Sequence, residues 1–328
     1  MAMRIVFLFL FLGLNWAAGT MAQQVETARP KNGEAVSQLL ARFGRTKQRH
    51  YEVFRELNKG KFTSDGGLKL GVDYVLPPLD EGFREPLFGK KQEKYTVKSQ
   101  ELSGAVFYLV SGHGGPDPGA IGIAHGRQLH EDEYAYDIVL RLARNLMERG
   151  AKAYIVIQDE KDGIRDAKYL ENSSRETCMG KKIPLNQVER LRQRCDEVNR
   201  FYAQDGKGYR RAVFVHVDSR SQKQQLDVFF YHCEGSAAGK MTADRLCRTF
   251  EQKYKQHQPG RGFSGTVSAR NLYVLRNTQP VAVFLELGNI QNKKDLQRLI
   301  LADNRQALAN WICEGMVADY KQSKQGKN

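Results

Sequence analysis

The chain reads as an α/β protein: a mostly parallel, twisted sheet with helices on both faces, preceded by a small α+β unit. Three observations lead there. Residues 105–110, 212–217 and 281–287 are short, almost wholly apolar runs, as expected of strands buried on both faces. Amphipathic helical stretches separate the runs, supplying the crossovers that parallel strands need. Each run also ends in a polar residue or a sharp glycine-rich loop, and open α/β sheets place their ligand sites at the carboxyl ends of strands.

Composition sets the outer bounds. The 328 residues leave room for one large domain and a smaller one. With 41% hydrophobic and 27% charged residues, the chain is globular rather than disordered or membrane-embedded. Its 51 Lys and Arg outnumber 37 Asp and Glu, a net charge of +14 that implies an anionic partner. No nucleic-acid-binding signature accompanies that charge, which is spread along the whole chain, so an acidic polymer such as a cell wall is the expected partner and nucleic acid is not.

In chain order, Arg4 precedes the apolar residues 5–14, and Thr20-Met21-Ala22 supplies small residues for cleavage. Residues 1–22 therefore read as a secretory signal peptide, too short and wrongly flanked for a transmembrane helix. The mature chain is expected to start near Gln23, exported to the periplasm or cell envelope. Residues 25–79 form their own unit, with one helix presenting Val36, Leu39, Leu40 and Phe43, a second presenting Tyr51, Phe54 and Leu57, and a closing strand before Pro77-Pro78. Residues 80–95 are polar and without periodicity, a linker, and residues 95–97 are expected to pair with the strand that leads to His113.

The main domain, residues 96–322, then alternates. Helices are expected over 134–150, 186–202 and 237–254 and at the C-terminus, with strands at 151–157, 226–231 and 272–275 besides the three apolar runs. Residues 158–184 read as a long surface loop. Five cysteines occur without a C-x-x-C pair. Cys195, Cys247 and Cys313 fall on apolar stripes; a Cys178–Cys195 bridge is one pairing among those the sequence leaves open.

The chemistry lies at the strand ends. His113 sits in the loop Gly112-His113-Gly114-Gly115-Pro116-Asp117-Pro118-Gly119, His216 closes the second run and Glu286 the third. A carboxylate buried without a partner costs several kcal/mol or shifts its pKa, so Glu286 needs a task. Two imidazoles and one carboxylate suit Zn²⁺, whose catalytic sites keep three protein ligands and an open position. Glu131, Asp132 and Glu133 compete for the third place. Helical phase selects Glu131, which shares the sheet-facing stripe of Ala135 and Ile138, whereas Glu133 and Asp137 point toward solvent. Asp132 and Glu133 then read as charges favoured by the helix dipole. His130 is the rival ligand, and Asp218 reads as an orienting or structural group.

These residues resemble the zinc-dependent N-acetylmuramoyl-L-alanine amidases of the type-3 amidase family. The resemblance rests on Gly112-His113-Gly114-Gly115 with Asp117 and Gly119-Ala120, on Glu131, on Phe214-Val215-His216-Val217-Asp218, on Asn271-Leu272-Tyr273-Val274-Leu275-Arg276 and on Phe284-Leu285-Glu286-Leu287-Gly288-Asn289. It implies that His113, Glu131 and His216 bind Zn²⁺, that Glu286 is the catalytic glutamate, and that the bond cut joins N-acetylmuramic acid to L-alanine in peptidoglycan. Asp117, His125 and Asn289 are the expected substrate contacts. Departures from the family pattern are Gln158 in place of an arginine, a longer segment 159–185, and Asn289 in place of an aromatic. The short span between His216 and the next helix lacks the plugging insertion of some relatives. Residues 25–79 resemble a LysM module through Gly33-Glu34-Ala35, Asn58 and Leu68-Lys69-Leu70-Gly71-Val72-Asp73-Tyr74-Val75-Leu76-Pro77, which implies binding to N-acetylglucosamine-containing glycan.

Two other readings compete. A zinc carboxypeptidase acting on wall stem peptides would need an H-x-x-E start, which His113–Pro116 lacks. A non-catalytic wall-binding protein would have no need of Glu286.

Overall fold

The computed structural model describes residues 26–46, 48–77, 83–217 and 227–325. The signal-peptide reading of residues 1–22 and the role given to Asp218 fall outside them. The chain divides into two compact units between residues 81 and 82.

In the smaller unit, β1 (Thr27–Ala28) and β2 (Tyr74–Val75) pair antiparallel and bracket two helices, α1 (Val36–Arg42) and α2 (Gln48–Leu57). Its core is Ala28, Val36, Leu39, Leu40, Phe54, Tyr74 and Leu76, with Phe43 and Tyr51 packed against it; of the expected helical stripe, Leu57 is exposed instead. The buried Asn58 stitches the unit together. Its amide donates to the carbonyls of Phe54 at 2.9 Å and Val75 at 2.8 Å, and its oxygen accepts from the Val75 N–H. Every polar atom removed from water there is matched, as burial requires.

The larger unit opens with a hairpin, β3 (Phe83–Arg84) and β4 (Lys94–Tyr95), followed by β5 (Ala105–Ser111). A second hairpin, β6 (Ile121–Ala124) and β7 (Arg127–His130), leads into α3 (Glu131–Met147). Then come β8 (Lys152–Ile155), the short strands β9 (Ile157–Gln158), β10 (Thr177–Cys178) and β11 (Lys181–Lys182), and α4 (Gln187–Gln204). The chain continues through β12 (Tyr209–His216), β13 (Phe229–His232), α5 (Ala237–His257) and β14 (Thr266–Ala269). It ends with α6 (Tyr273–Asn277), β15 (Val281–Glu286), α7 (Lys293–Leu299) and α8 (Ala302–Gln325).

Six strands form the central sheet in the order β14-β13-β15-β12-β5-β8. The last four run parallel, while β13 meets β15 antiparallel and carries β14 parallel to itself. Strand alternation sends Phe107, Leu109, Val213, Val215, Val283 and Leu285 to the face packed by α3, α5 and α8. Tyr108, Val110, Ala212, Phe214, Ala282 and Phe284 go to the other, against α4 and α6. Helices thus cover both faces, as expected. No described helix is long and apolar enough to cross a membrane.

Several local expectations are corrected. Residues 272–275 are not a strand: Leu272 is the extended N-cap of helix α6, and the Thr278 hydroxyl closes its end by donating to the Val274 carbonyl at 2.5 Å. β14 was not legible as a strand, being short and largely exposed at the sheet edge. Over its described part, the supposed linker holds the β3–β4 hairpin. Tyr95 pairs with Phe83 rather than with β5, and the buried Phe88 packs into the core.

Segment 158–184 is irregular over 159–176 with many exposed residues, as expected of a loop, but it is tied down at its end. β10 and β11 extend β9 into a three-stranded sheet, and Leu170, Glu176, Cys178 and Ile183 are buried. Cys178 and Cys195 are buried free thiols, with no bridge between them. Glu133 and Asp137 are buried rather than solvent-facing. Arg165, from this segment, holds Glu133 at 2.8 Å, while Arg141 and Arg305 hold Asp137 at 2.9 and 2.6 Å. Asp132 is buried too, so the dipole reading does not suffice: burial, with Glu133 and Glu176 nearby, pushes its carboxyl up to about 9. Glu133, Asp162 and Glu176 lie close together, but Arg165 bridges Glu133 and Asp162 and Arg175 takes Asp162, making an ion-pair network.

Candidate metal centre and active site

Three strands of the parallel half deliver the site. β5 and β12 pair in register, so the loop after β5 and the end of β12 emerge together. β12 pairs with β15 so that His216 stands directly opposite Glu286. The polar residues at these strand ends are therefore neighbours because the sheet is parallel.

His113 takes a left-handed backbone conformation, φ 57°, rarely adopted outside glycine and here located at the site itself. The turn behind it is closed by the Gly114 N–H donating to the Asp117 carbonyl at 2.8 Å. Its Nδ1 meets the Asp117 carboxylate at 2.9 Å, which leaves Nε2 to face Glu131 at 3.2 Å. Arg190, from α4, donates to Asp117 at 2.7 Å, and Arg194 donates to the His113 carbonyl.

Glu131 is the first residue of α3, turned inward as helical phase predicts. It is 0% exposed and both oxygens are engaged. Oε2 accepts from the Ala120 N–H at 2.9 Å, while Oε1 accepts from the Val217 N–H at 3.2 Å and lies 3.0 Å from His216 Nδ1. Two glycines make this convergence possible. A side chain at Gly112 would lie 2.4 Å from the His216 ring, and one at Gly119 only 2.6 Å from Glu131 Oε2 and from His113 Cδ2.

Nitrogen and oxygen atoms of His113, Glu131 and His216 thus all lie within 4.8 Å of one another. Electrostatics show what they would hold. Burial would lower the His113 pKa, but Glu131 and Asp117 outweigh it and raise it to about 10. Burial would raise Glu131, yet the two imidazoles hold it well below the carboxylate range. His216 is lowered, chiefly by burial. The cluster therefore attracts positive charge between its donor atoms. Two imidazole nitrogens and one carboxylate, with a carboxylate behind one imidazole, fit a zinc ion and the support such ligands usually have.

The three residues line a cavity of about 580 Å³ together with Asp117 and Glu286. Glu286 ends β15 on its wall. Of the other expected contacts, His125 lies exposed on the β6–β7 turn, edge-on to Tyr169 and away from the cavity lining. Asn289 is fully buried and its side-chain oxygen accepts from the Gln291 N–H, so it shapes a turn rather than facing substrate. His130 precedes α3 as its N-cap and is not in the cluster. Gln158, where an arginine was looked for, donates to the Ile155 carbonyl at 2.9 Å.

Residues 108–318, well over half the chain, match the N-acetylmuramoyl-L-alanine amidase family. The chain belongs to that family. It is 25% identical over 223 residues to the germination-specific N-acetylmuramoyl-L-alanine amidase of Bacillus subtilis strain 168, covering 67% of this chain and 81% of that one. Similar solved structures include the amidase AmiC2 of Nostoc punctiforme, at 20% identity over 67% of this chain and 99% of that one, with a TM-score of 0.46. Another is Ami1 of Mycobacterium smegmatis, at 14% identity, 67% and 99% coverage and a TM-score of 0.48. The enzyme is accordingly a peptidoglycan amidase, which sets aside the carboxypeptidase and the inactive binder.

The amidase cavity also contains residues that sequence reasoning passed over: Ser111, Arg190, Arg194, Tyr231 and Arg270. A signal existed for two of them. Arg190 and Arg194 share the inward stripe of α4 with Cys195, Val198 and Phe201, where a charged residue calls for a reason. Nothing in the sequence marked Tyr231 or Arg270, which reach the site because β13 lies beside β15 and β14 beside β13.

Proposed function

We propose that the enzyme is a zinc-dependent amidase of the cell envelope, hydrolysing the bond between the lactyl group of N-acetylmuramic acid and the L-alanine of the stem peptide. The observation that carries this reading is the convergence of His113, Glu131 and His216 beside Glu286 in one cavity. His113 Nε2, the Glu131 carboxylate and His216 Nδ1 would hold the ion, and Asp117 would fix the His113 tautomer by accepting from Nδ1–H. Bound there, zinc supplies Lewis acidity toward the scissile carbonyl and the attacking water.

The remaining chemistry belongs to Glu286. Standing opposite His216 at the end of β15, it accepts a proton from the attacking water and returns it to the departing alanine nitrogen. Burial would raise the Asp117 carboxyl, but His113 above all, then the Gly119 N–H and Arg190, hold it well below the usual range.

Residues 26–77 are proposed to act as a LysM-like glycan-binding unit; their strand–helix–helix–strand order and buried Asn58 and Tyr74 support that reading. Export is proposed from the apolar N-terminal stretch, which suits a wall substrate.

Digestion of purified peptidoglycan followed by mass spectrometry tests the reaction. Free stem peptides and peptide-less glycan are expected, lost on chelation and restored by Zn²⁺. Stem peptides shortened at their carboxyl end, or turnover indifferent to chelation, would refute it.

A further inference from the structure

Three guanidinium groups line the active-site cavity, and they differ in what neutralises them. Arg190 is paired with Asp117 at 2.7 Å. Arg194 is buried behind His113, bonded to its carbonyl rather than to a carboxylate. Arg270 is exposed on the cavity wall and has no carboxylate partner among the described residues.

Arg270 is nonetheless held in place. It directly follows β14, and its backbone N–H donates to the His232 carbonyl at 3.0 Å, which continues the β13–β14 ladder by one residue. Its guanidinium lies 5.0 Å from the centre of the Tyr231 ring, within the range of a cation–π contact. Tyr231 in turn packs 6.1 Å from Phe284, which stacks on the ligand His216 at 4.4 Å. A row of three rings therefore runs from the proposed ligand His216 to a cation that no described carboxylate neutralises.

The cavity's charge points the same way. Among the described lining residues, Arg190, Arg194 and Arg270 match Asp117, Glu131 and Glu286 in number, so a divalent ion on the ligand set would leave that part of the lining net positive. Such a wall favours a substrate that brings its own negative charge. Stem peptides carry free carboxylates, and successive residues of an extended peptide advance about 3.3–3.6 Å each. Steps of 4.4, 6.1 and 5.0 Å along the ring row place Arg270 at most about five extended residues from the His216 ring, within the length of a stem peptide.

We propose that Arg270, seated on Tyr231, binds a free carboxylate of the stem peptide and makes the enzyme prefer acidic stems over amidated ones. The proposal rests on the amidase reading above. It assigns substrate selection to the edge pair β13–β14, apart from the strands that carry the ligands and Glu286.

The test uses the full-length, zinc-loaded enzyme and soluble N-acetylmuramoyl peptides. Four substrates are compared: the free acid, and versions amidated singly at the second residue, at the third-residue side chain or at the peptide's end. The wild type is expected to lose about ten- to hundredfold in kcat/KM on one amidated substrate, mostly through KM, the worth of a charged hydrogen bond. Arg270→Gln should suffer that loss on the free acid and discriminate no further, while Arg270→Lys should keep part of the preference. Because Arg270 is exposed, circular dichroism and zinc content should match the wild type. Calorimetry with the released peptide should show the same loss of affinity in Arg270→Gln. Equal treatment of all four substrates by the wild type, or an undiminished preference in Arg270→Gln, overturns the proposal. Failure to release free stem peptide from any substrate is a different result and overturns the amidase reading itself.

Discussion

Gly119→Ala is the smallest change that should disable the site, and its size can be worked from geometry. A β-carbon there would lie 2.6 Å from Glu131 Oε2, 2.6 Å from His113 Cδ2 and 2.8 Å from the Glu131 β-carbon. Ordinary contacts begin near 3.4 Å, so something must move by most of an ångström. Glu131 has little freedom to do so, because its two oxygens are tied to the Ala120 and Val217 N–H groups. The φ of +70° adds about 1–2 kcal/mol for any L-residue, and overpacking of a tight site adds about 1–3 kcal/mol. Gly126→Ala supplies the control, since its φ is +74° and its β-carbon meets nothing within 4 Å. Both variants should lose the backbone share, seen as a drop of about 2–8 °C in the melting temperature of the metal-free protein. Only Gly119→Ala should also weaken zinc, by about ten- to hundredfold in competition with a chromophoric chelator. Zinc affinity at the wild-type level in Gly119→Ala would show that the crowding around Glu131 does not hold the ligands in place.

Three further outcomes are expected. Glu286→Gln should keep its zinc and fold while turnover falls about a hundred- to ten-thousandfold; loss of zinc would make Glu286 a ligand instead, and near-normal turnover would refute its role as proton acceptor. Arg305→Met should cost about 3–5 kcal/mol, read as a fall of about 10 °C in melting temperature, because it takes from the fully buried Asp137 one of its two arginines and removes a donor from the Leu299, Arg165 and Ala167 carbonyls; a change within 2 °C would refute the buried-pair account. Deleting residues 26–77 should reduce sedimentation with insoluble peptidoglycan but spare turnover of soluble muropeptides, and equal sedimentation would locate wall binding in the larger unit.

What was legible in the sequence was local. Apolar runs of six or seven residues named the buried strands, and helical phase alone chose Glu131 over its two acidic neighbours. The same phase argument failed for Glu133 and Asp137. It turned them to solvent because it could not see Arg165, 32 positions from Glu133, or Arg305, 168 positions from Asp137. An acidic residue looks solvent-bound until its distant arginine is known. Residues 272–275 misled for a related reason, since four apolar residues suit a strand as well as one helical turn and the extended Leu272 decides between them. Asn289 was marked by its place after the catalytic motif, but position along the chain does not say which side of a turn a side chain takes. Tyr231 and Arg270 carried no signal, because neighbouring strands at a sheet edge are set by topology rather than by adjacent residues.

Arg305 has a consequence for the order in which this protein can become active. The one guanidinium donates to Asp137 on α3, to the carbonyls of Arg165 and Ala167 in the long segment after β9, and to the Leu299 carbonyl. Asp137 lies less than two turns from Glu131, the proposed ligand on the same helix. During synthesis, then, a ribosome makes the three proposed ligands and Glu286 before it makes Arg305, which anchors α3 to its surroundings. A chain interrupted after β15 has every group the chemistry names and lacks that clasp. Possession of the proposed catalytic residues and possession of the site they form are therefore separated by the making of the residues between β15 and Arg305.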